Sequence, residues 1–536
     1  MDTNEPIATQ PAVSETAQPP ETQPFDEIAL TLSGGGYRAA AFHLGTLDML
    51  HRLDLLQSVH VLSTVSGGSL TGLKYTLSAT ESTPFEKFYT EFYDFLRTTN
   101  VIRAGLDGLQ PPDGSPFSGQ MPSLIRSAAQ VYTSAQMLGT KTFGDILKDK
   151  SSHLREASFN ATEFRTGNYF RFQKSASGGA VIGNRNLQVK REVAEMIRLA
   201  DIAAASSCFP SAFEAFRFPD DFLWSNKLDE VRTLLGKRFT KCVPLMDGGI
   251  YDNQGVDSVL RAYDRANSQI GLLIISDTTQ REPSLFEFRP EPKRGSLTVS
   301  VLVKLAWIVF FISVATAIVL AVAAIKSILD GGFHVVDIFL YVVPFILSSF
   351  LAASLWWIRQ QFKEGQKQIA ELTTVKLWPS LKNLTVPELA DLISGRAKSL
   401  IALTSSIFLK RVRAMVYKDI NVHPSYLNRQ FANLIYDLDD TGKFRDEVIK
   451  TLQPEQFRDL AQRAEKVATS LWADDEELRD LVACGQVTTC FNIMRYILEK
   501  REHELNTPGS REQKIYENAL AIWKTLKDNQ YALLRN

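Results

Sequence analysis

The chain of 536 residues is 45% hydrophobic and carries a formal net charge of −1. It is long and apolar enough to bury a large core, while its balanced charge excludes a general polyanion binder, so nucleic acid is not an expected partner. The four cysteines form no CxxC pair and the N-terminus lacks the apolar stretch of a signal peptide. We therefore expect a reducing cytoplasmic environment, no structural disulfide and no zinc site.

The N-terminal part of the chain predicts a tail followed by a strand, a glycine loop and a helix. Residues 1–25 are rich in Pro, Thr, Gln and Glu and are predicted to be disordered, so the fold starts near Asp26. Residues 27–32 are apolar and β-prone, end at the glycine run 34–36, and are followed by helical spacing in residues 37–53. Converging glycine amides at a helix start suit an oxyanion, although a purely structural glycine turn is the alternative.

A second strand, turn and helix follow directly. Residues 59–65 indicate a buried strand, Ser66 stands at its end, two glycines make the turn, and residues 70–77 continue as a helix. This arrangement is typical of a nucleophile elbow, in which the amide of the next residue, Gly67, joins the oxyanion hole. The usual G-x-S-x-G pattern has glycine where this chain has Thr64, which predicts slightly wider packing at that point.

The segment between this elbow and the next motif predicts a peripheral layer. Residues 83–150 indicate mostly helices and loops. Residues 105–120 are rich in Gly, Pro and Ser, which suggests a lid over an acyl cleft. An ordinary surface loop is the equal alternative.

A candidate base lies far downstream. Residues 243–250 place Asp247 after a short apolar segment and before two glycines, so its carboxylate is expected at a strand end in a cleft. A serine nucleophile needs a base within hydrogen-bond reach, most often a histidine. The seven histidines lie in no motif and fit capped or surface positions. A dyad of Ser66 and Asp247 is therefore the more economical hypothesis.

Two long apolar runs predict a membrane hairpin. Residues 305–325 contain no ionisable side chain, residues 338–358 are a second apolar run of the same length, and each is long enough to cross a bilayer core of about 30 Å. Basic residues flank the outer ends of the pair, namely Lys293, Arg294, Lys304, Arg359, Lys363 and Lys367. We therefore expect a two-span protein with the catalytic domain and both termini in the cytoplasm. Buried helices of a soluble core are the alternative, and Pro344 predicts a kink in the second span.

The remaining elements suggest a further strand and a helical C-terminal region. Residues 268–276 indicate a buried strand before the hairpin, and the chain beyond it shows mainly helical patterns. The expected division is a tail at 1–25, a catalytic α/β domain at 26–290, a transmembrane hairpin at 300–360 and a helical region at 361–536. Strand, loop and helix units with apolar strands predict a layered α/β sheet with flanking helices.

The candidate catalytic segments resemble those of the patatin-like phospholipase family. They are, in chain order, Ser33-Gly34-Gly35-Gly36-Tyr37-Arg38-Ala39, Ser66-Gly67-Gly68 and Asp247-Gly248-Gly249. The resemblance extends to residues 159–162 and 203–210 and covers about residues 26–280. It implies Ser66 as nucleophile, Asp247 as base, and Gly34, Gly35 and Gly36 as the oxyanion loop. It also implies Arg38 as an anchor for that loop, with a helix-start salt bridge as the alternative.

The resemblance and the hairpin together indicate a membrane-anchored serine acyl hydrolase of phospholipase A or lysophospholipase type. Its expected partners are the bilayer and a phospholipid substrate, and self-association stays open. No cofactor or metal site is expected, so the chemistry should be independent of calcium. A neutral-lipid lipase or thioesterase, and a membrane interaction protein with a weak or inactive site, are the alternatives.

Overall fold

The computed structural model describes residues 23–109, 121–210, 212–225, 228–281, 297–330, 334–373, 381–403, 407–423, 426–439 and 447–535. The predicted tail, up to residue 22, and most of the predicted lid, residues 110–120, lie outside the described residues. Contacts between residues divide the chain into two compact units. The first combines residues 1–283 with 405–536, and the second spans residues 284–404.

The first unit is built on one mixed sheet. Its described strands are β1 (Ile28–Leu32), β2 (Val59–Val65), β3 (Glu156–Glu163), β4 (Asn168–Ser175), β5 (Phe216–Phe218), β6 (Val243–Asp247), β7 (Leu272–Asp277) and β8 (Gln430–Leu434). The strand order is β5-β6-β3-β2-β1-β7-β8, and β4 pairs with β3 outside this path. Strands β3, β2, β1, β7 and β8 run parallel, whereas β4 and β6 are antiparallel to β3. The predicted α/β fold class is thus confirmed.

Helices cover both faces of this sheet. Before the hairpin they are α1 (Gly36–Arg52), α2 (Gly67–Thr80), α3 (Phe85–Thr98), α4 (Val101–Asp107), α5 (Leu124–Val131), α6 (Phe143–Lys148), α7 (Arg191–Ala194), α8 (Leu199–Ser207), α9 (Leu228–Leu235), α10 (Gly249–Asp252) and α11 (Val256–Ala266). Strand β1 is buried along its whole length. Its Leu30 faces the larger core, whereas Ala29 packs with Val259 of α11 on the opposite face. Continuous apolar strands are expected where helices cover both faces of a parallel sheet.

The second unit contains the predicted hairpin. Its helices are α12 (Val299–Leu329), α13 (Val335–Asp337), α14 (Val343–Thr373) and α15 (Val386–Ala402), with a π-helical segment Ile338–Val342 before α14. The second long helix therefore continues past Pro344 instead of breaking there. Proline removes one helical donor and crowds the preceding turn, which gives a reason for a wider π-helical turn at this point.

The chain after the hairpin returns to the first unit. Its helices are α16 (Phe408–Val422), α17 (Glu447–Thr451), α18 (Arg458–Lys466), α19 (Asp475–Lys500), α20 (Glu502–Leu505) and α21 (Arg511–Asp528). The C-terminal region is mainly helical, as expected, but β8 pairs with β7 and extends the sheet. The division expected after residue 290 therefore differs from the structure, because residues 405–536 share a unit with the N-terminal strands. The short β8 run, Gln-Phe-Ala-Asn-Leu, has no β-branched residue to indicate a strand.

The close contact between α1 and α19 ties this C-terminal segment to the core. A Cβ atom on Gly485 would lie 2.1 Å from the carbonyl oxygen of Phe42, and one on Gly45 would lie 2.1 Å from that of Val482. Only glycine allows two helices to approach so closely. Helix α19 is consequently a central element of the first unit and packs beside the helix that follows the glycine loop.

Candidate active site

The pairing of β3 brings the ends of two distant strands together. Strand β2 runs parallel to β3 and pairs Val65 with Asn160, while β6 runs antiparallel and pairs Asp247 with the next residue, Ala161. The C-terminal ends of β2 and β6 therefore meet at neighbouring positions of one strand. Ser66, directly after β2, and Asp247, the last residue of β6, lie at this junction.

Ser66 occupies a strained turn between β2 and α2. Its backbone has φ 52° and ψ −122°, a conformation that L-residues rarely adopt. Such strain costs on the order of 1–3 kcal/mol and persists only where surrounding contacts enforce it. The amide of Ser66 donates to Ser206 Oγ at 3.0 Å, and that hydroxyl donates to the carbonyl of Asn160 at 2.6 Å. The end of α8 thus fixes the turn to β3.

Thr64 is accommodated by a glycine on the following helix. A Cβ atom on Gly72 of α2 would lie 2.3 Å from Thr64 Cγ2. The prediction of wider packing around Thr64 is therefore wrong, because Gly72, on the helix that packs against Thr64, provides the space that the threonine side chain needs. Thr64 Oγ1 also lies 2.9 Å from Ser69 Oγ, which is 2.8 Å from Ser206 Oγ. These hydroxyls extend the network that supports Ser66. Ser206 lies in the segment 203–210 to which the family resemblance extends, whereas no motif indicated a supporting role for Ser69.

Asp247 is buried but incompletely hydrogen-bonded. Its Oδ1 accepts from the Gly249 amide at 2.7 Å, whereas Oδ2 has no hydrogen-bond partner among the described residues. Burial raises the pKa of Asp247 to about 6, and the neighbouring Ser66 hydroxyl and the Gly249 amide oppose this rise. The backbone is held from α8, since the Asp247 amide donates to the Cys208 carbonyl at 2.9 Å. The carboxylate therefore lies beside Ser66 with one oxygen available.

Fewer amides of the glycine loop can donate to an oxyanion than the sequence suggested. The Gly34 amide donates to the Asn253 carbonyl at 3.1 Å, so it is already occupied. The amides of Gly35, Gly36 and Gly67 make no hydrogen bond within the described part of the chain. Gly35 and Gly36 have φ values of +148° and +59°, which explains why glycine is needed there. Gly34 instead brings the loop close to the nucleophile, because a Cβ atom on it would lie 3.1 Å from Ser66 Cβ.

Residues from the end of β7 support this loop from behind. The amide of Thr278 donates to Ser33 Oγ at 3.1 Å, and its hydroxyl donates to the Gly34 carbonyl at 3.2 Å. His43 lies in the same layer, with Nε2 3.1 Å from the Ser33 carbonyl and Nδ1 3.0 Å from Ser276 Oγ. Burial lowers the pKa of His43 to about 4, so the ring is neutral at ordinary pH. His43 thus supports the loop by packing and hydrogen bonding.

Arg38 connects the loop helix to the C-terminal part of the chain. Its Nη1 donates to the Val467 carbonyl at 3.0 Å and approaches the Glu465 carbonyl at 3.5 Å. Burial lowers the pKa of Arg38 to about 10, which leaves it charged at neutral pH. The adjacent Tyr37 amide donates to the Ser470 carbonyl at 2.7 Å. Arg38 thus binds backbone carbonyls instead of the helix-start carboxylate considered from the sequence, and residues 465–470 are a support that sequence reasoning missed.

The comparisons with known proteins include a match to one family model. The family model for Patatin-like phospholipase matches residues 30–260 and supports a lipid acyl hydrolase in general. No curated protein matches the chain. The solved structure of human GIVD cytosolic phospholipase A2, in complex with methyl gamma-linolenyl fluorophosphonate inhibitor and terbium chloride, is 16% identical with a TM-score of 0.29. The match covers 48% of this chain and 41% of that chain, so this chain spans about two fifths of its length.

Proposed function

Since residues 30–260 match the family model for Patatin-like phospholipase, we propose that the protein is a membrane-anchored lipid acyl hydrolase that cleaves phospholipid acyl esters with Ser66 and Asp247. The main support is the junction on β3, where the strained Ser66 meets a buried carboxylate with an unpaired oxygen. A structural aspartate would be expected to have both oxygens hydrogen-bonded. An unpaired carboxylate oxygen beside a strained serine is instead suited to accept a proton.

In the first half of the reaction, Asp247 accepts the Ser66 proton while Oγ attacks the acyl carbonyl carbon. The carbonyl oxygen becomes an oxyanion and is bound by the amides of Gly35, Gly36 and Gly67. When the intermediate collapses, the ester bond breaks, Asp247 returns the proton to the departing alcohol, and the acyl group remains on Ser66. Each amide aimed at the oxyanion should contribute roughly 3 kcal/mol to stabilisation of the transition state.

In the second half, Asp247 accepts a proton from water, which attacks the acyl carbonyl. The same amides bind the second oxyanion, and Ser66 leaves with the proton from Asp247 as the fatty acid is released. A pKa of about 6 suits this double role. The carboxylate is ionised at neutral pH and yet is a stronger base than an exposed aspartate.

Membrane anchoring is supported by the exposure of the hairpin. The span Val299–Leu329 has a mean hydropathy of 2.9 and Val335–Gln361 one of 2.2, and only 6% of each apolar window is buried within the structure. Exposing so much apolar surface to water would be unfavourable, whereas a bilayer would cover it. With basic residues at the outer ends of both spans, the positive-inside rule places the catalytic domain and both termini in the cytoplasm. Phospholipids are then the esters that the enzyme meets first.

The test is fatty-acid release by the full-length protein in phospholipid vesicles, with Ser66→Ala and Asp247→Asn as matched variants. We expect release by the wild type and a loss of about a thousandfold or more in each variant. Lysophospholipid, triacylglycerol and an acyl thioester are assayed in parallel. Preferred cleavage of triacylglycerol or thioester would replace the phospholipid assignment, and undiminished release by either variant would exclude the dyad.

A further inference from the structure

The base of the hairpin unit contains an apolar cavity. Its volume is about 580 Å³, and it lies where the first turns of α12 and α15 meet the later turns of α14. Its walls are largely apolar and include Leu302, Trp307, Phe310, Leu355 and Leu389. Small-molecule sites typically have volumes of about 300–1,000 Å³ and walls of this composition. The cavity is therefore large enough for a long hydrocarbon chain.

The start of α15, which forms one wall of the cavity, is held in place by backbone pairing. Thr298 and Thr385 form an isolated antiparallel bridge. The Val299 amide donates to the Leu384 carbonyl at 2.8 Å, and the Val386 amide donates to the Leu297 carbonyl at 3.0 Å. The start of α15 is thus fixed against the start of α12. Because this wall is fixed before binding, the protein loses less conformational entropy when a ligand enters the cavity.

Two cations line one side of this apolar space. Arg359 and Lys363 lie one helical turn apart on α14, and both contribute to the cavity lining. The guanidinium carbon of Arg359 lies 4.1 Å from the centroid of the Trp307 ring, which positions the charge over the apolar wall. Within the described residues neither side chain forms an ion pair. The two charges are therefore available to an anion that enters with an apolar chain.

We propose that this cavity binds one anionic phospholipid, with an acyl chain along the apolar wall and the phosphate at Arg359 and Lys363. This inference depends on the proposed function only in requiring that the hairpin crosses a membrane. Arg359 lies near the end of the second span, Val335–Gln361, which is the depth at which lipid phosphates lie. An anionic headgroup supplies both the phosphate and a net negative charge, which favour contact with two cations that form no ion pair among the described residues.

The experiment uses the full-length chain with Ser66→Ala, so that the lipid is not consumed. The protein is placed in nanodiscs of phosphatidylcholine with a minority of phosphatidylglycerol and extracted in mild detergent, and the retained lipids are identified by native mass spectrometry. We expect retained phosphatidylglycerol, with a loss of roughly fivefold for each of Arg359→Gln and Lys363→Gln. Lys367→Gln, one turn further along α14 and outside the cavity lining, is the matched control and should retain the lipid.

Several outcomes would overturn this site. The first is equal retention of phosphatidylcholine and phosphatidylglycerol. The second is that a protein with both Arg359→Gln and Lys363→Gln retains as much lipid as Lys367→Gln. The third is preferential retention of added free fatty acid. Resistance to alkaline extraction is measured for every variant, so that failed membrane insertion is distinguished from lost lipid binding. Lipid retention does not require hydrolysis. If the Ser66→Ala protein retains phosphatidylglycerol while the wild type releases no fatty acid, the proposed function is contradicted and this site is left intact.

Discussion

Helices α12 and α19 are both long and apolar enough to cross a membrane, but their surroundings are opposite. The apolar window of α12 has a mean hydropathy of 2.9 and is 6% buried, whereas that of α19 has 1.2 and is 89% buried. Helix α19 packs against α1 in the first unit, while α12 forms one arm of the hairpin in the second. Sufficient length and a moderately apolar composition therefore do not by themselves make a helix a membrane span, and the lower mean hydropathy of α19 reflects the polar residues that it carries.

The polar residues of α19 explain the difference. Asn433 of β8 donates to Thr489 Oγ1 at 2.9 Å, and Asn492 donates to Asn433 Oδ1 at 3.0 Å. Gln486 donates to Asp48 of α1 at 2.7 Å. These groups are buried and need specific partners, which the sheet and α1 provide. A surface without charged or amide side chains, as along residues 305–325 of α12, suits lipid, whereas an apolar helix with buried amide and hydroxyl groups that need partners suits a protein interior.

The largest predicted effect comes from placing the same charge on each helix. Val487→Asp buries a carboxylate in α19 and should destabilise the first unit by about 3 kcal/mol or more. Val319 of α12 is 65% exposed, so Val319→Asp should leave that unit folded and weaken membrane insertion by about 3 kcal/mol. Thermal unfolding in detergent and alkaline extraction of membranes measure the two effects. If both variants lost the same amount of thermal stability and of membrane insertion, the two helices would not differ in the way proposed.

A smaller contrast comes from the same substitution at two helical glycines. Gly485→Ala places a Cβ atom against the Phe42 carbonyl and should destabilise the first unit by about 1–3 kcal/mol. A Cβ atom on Gly395 of α15 would have no described atom within 4 Å, so Gly395→Ala should stabilise its helix by about 1 kcal/mol. Hydrogen exchange resolved by segment measures both. If Gly485→Ala left the stability of the first unit unchanged, α1 and α19 would not pack as closely as the 2.1 Å distance indicates.

The burial of the Asp247 carboxylate predicts that its replacement stabilises the protein. The pKa of Asp247 is raised from 3.8 to about 6, so ionisation destabilises the native state, fully above pH 6 and not at all below pH 3.8. Asp247→Asn should therefore be more stable than wild type by on the order of 2 kcal/mol at neutral pH, with the difference disappearing in acid. Unfolding in urea across this pH range measures it. Asp330→Asn, at an exposed carboxylate in the hairpin connection, is the control for the substitution itself.

The same titration predicts how wild-type activity depends on pH. A protonated carboxyl cannot accept the Ser66 proton, so kcat/KM should fall as the pH drops through about 6. In the unfolding experiment, a stability difference between wild type and Asp247→Asn that persists in acid would mean that the substitution acts through packing and not through charge.

The smallest contrast tests the strain at the elbow. Both Ser66→Ala and Ser66→Gly remove the hydroxyl, but only glycine relieves the positive φ, so the Gly variant should be more stable by about 1 kcal/mol. At Ser78, within α2, the order should reverse, because glycine is about 1 kcal/mol worse than alanine in a regular helix. Differential unfolding of the four variants measures this. The same order at both positions would argue against stored strain at Ser66.

Local sequence patterns were enough to predict the strand, loop and helix units of the first unit. Apolar strand runs followed by glycines and helical spacing predicted β1 with α1 and β2 with α2, because these signals depend on neighbouring residues. Continuous apolar runs likewise predicted the two long helices of the hairpin. Such patterns identified Ser66, Gly35, Gly36 and Gly67 as candidates without any knowledge of their surroundings.

How these units pack together follows from long-range contacts in the folded protein. The meeting of Ser66 with Asp247 depends on the register of two strands along β3, which no local pattern encodes. It also decided that the Gly34 amide is used by Asn253 and that residues 465–470 hold the start of α1. These contacts join segments far apart in the chain through backbone atoms, which are chemically the same at every residue and therefore leave no signature in the sequence.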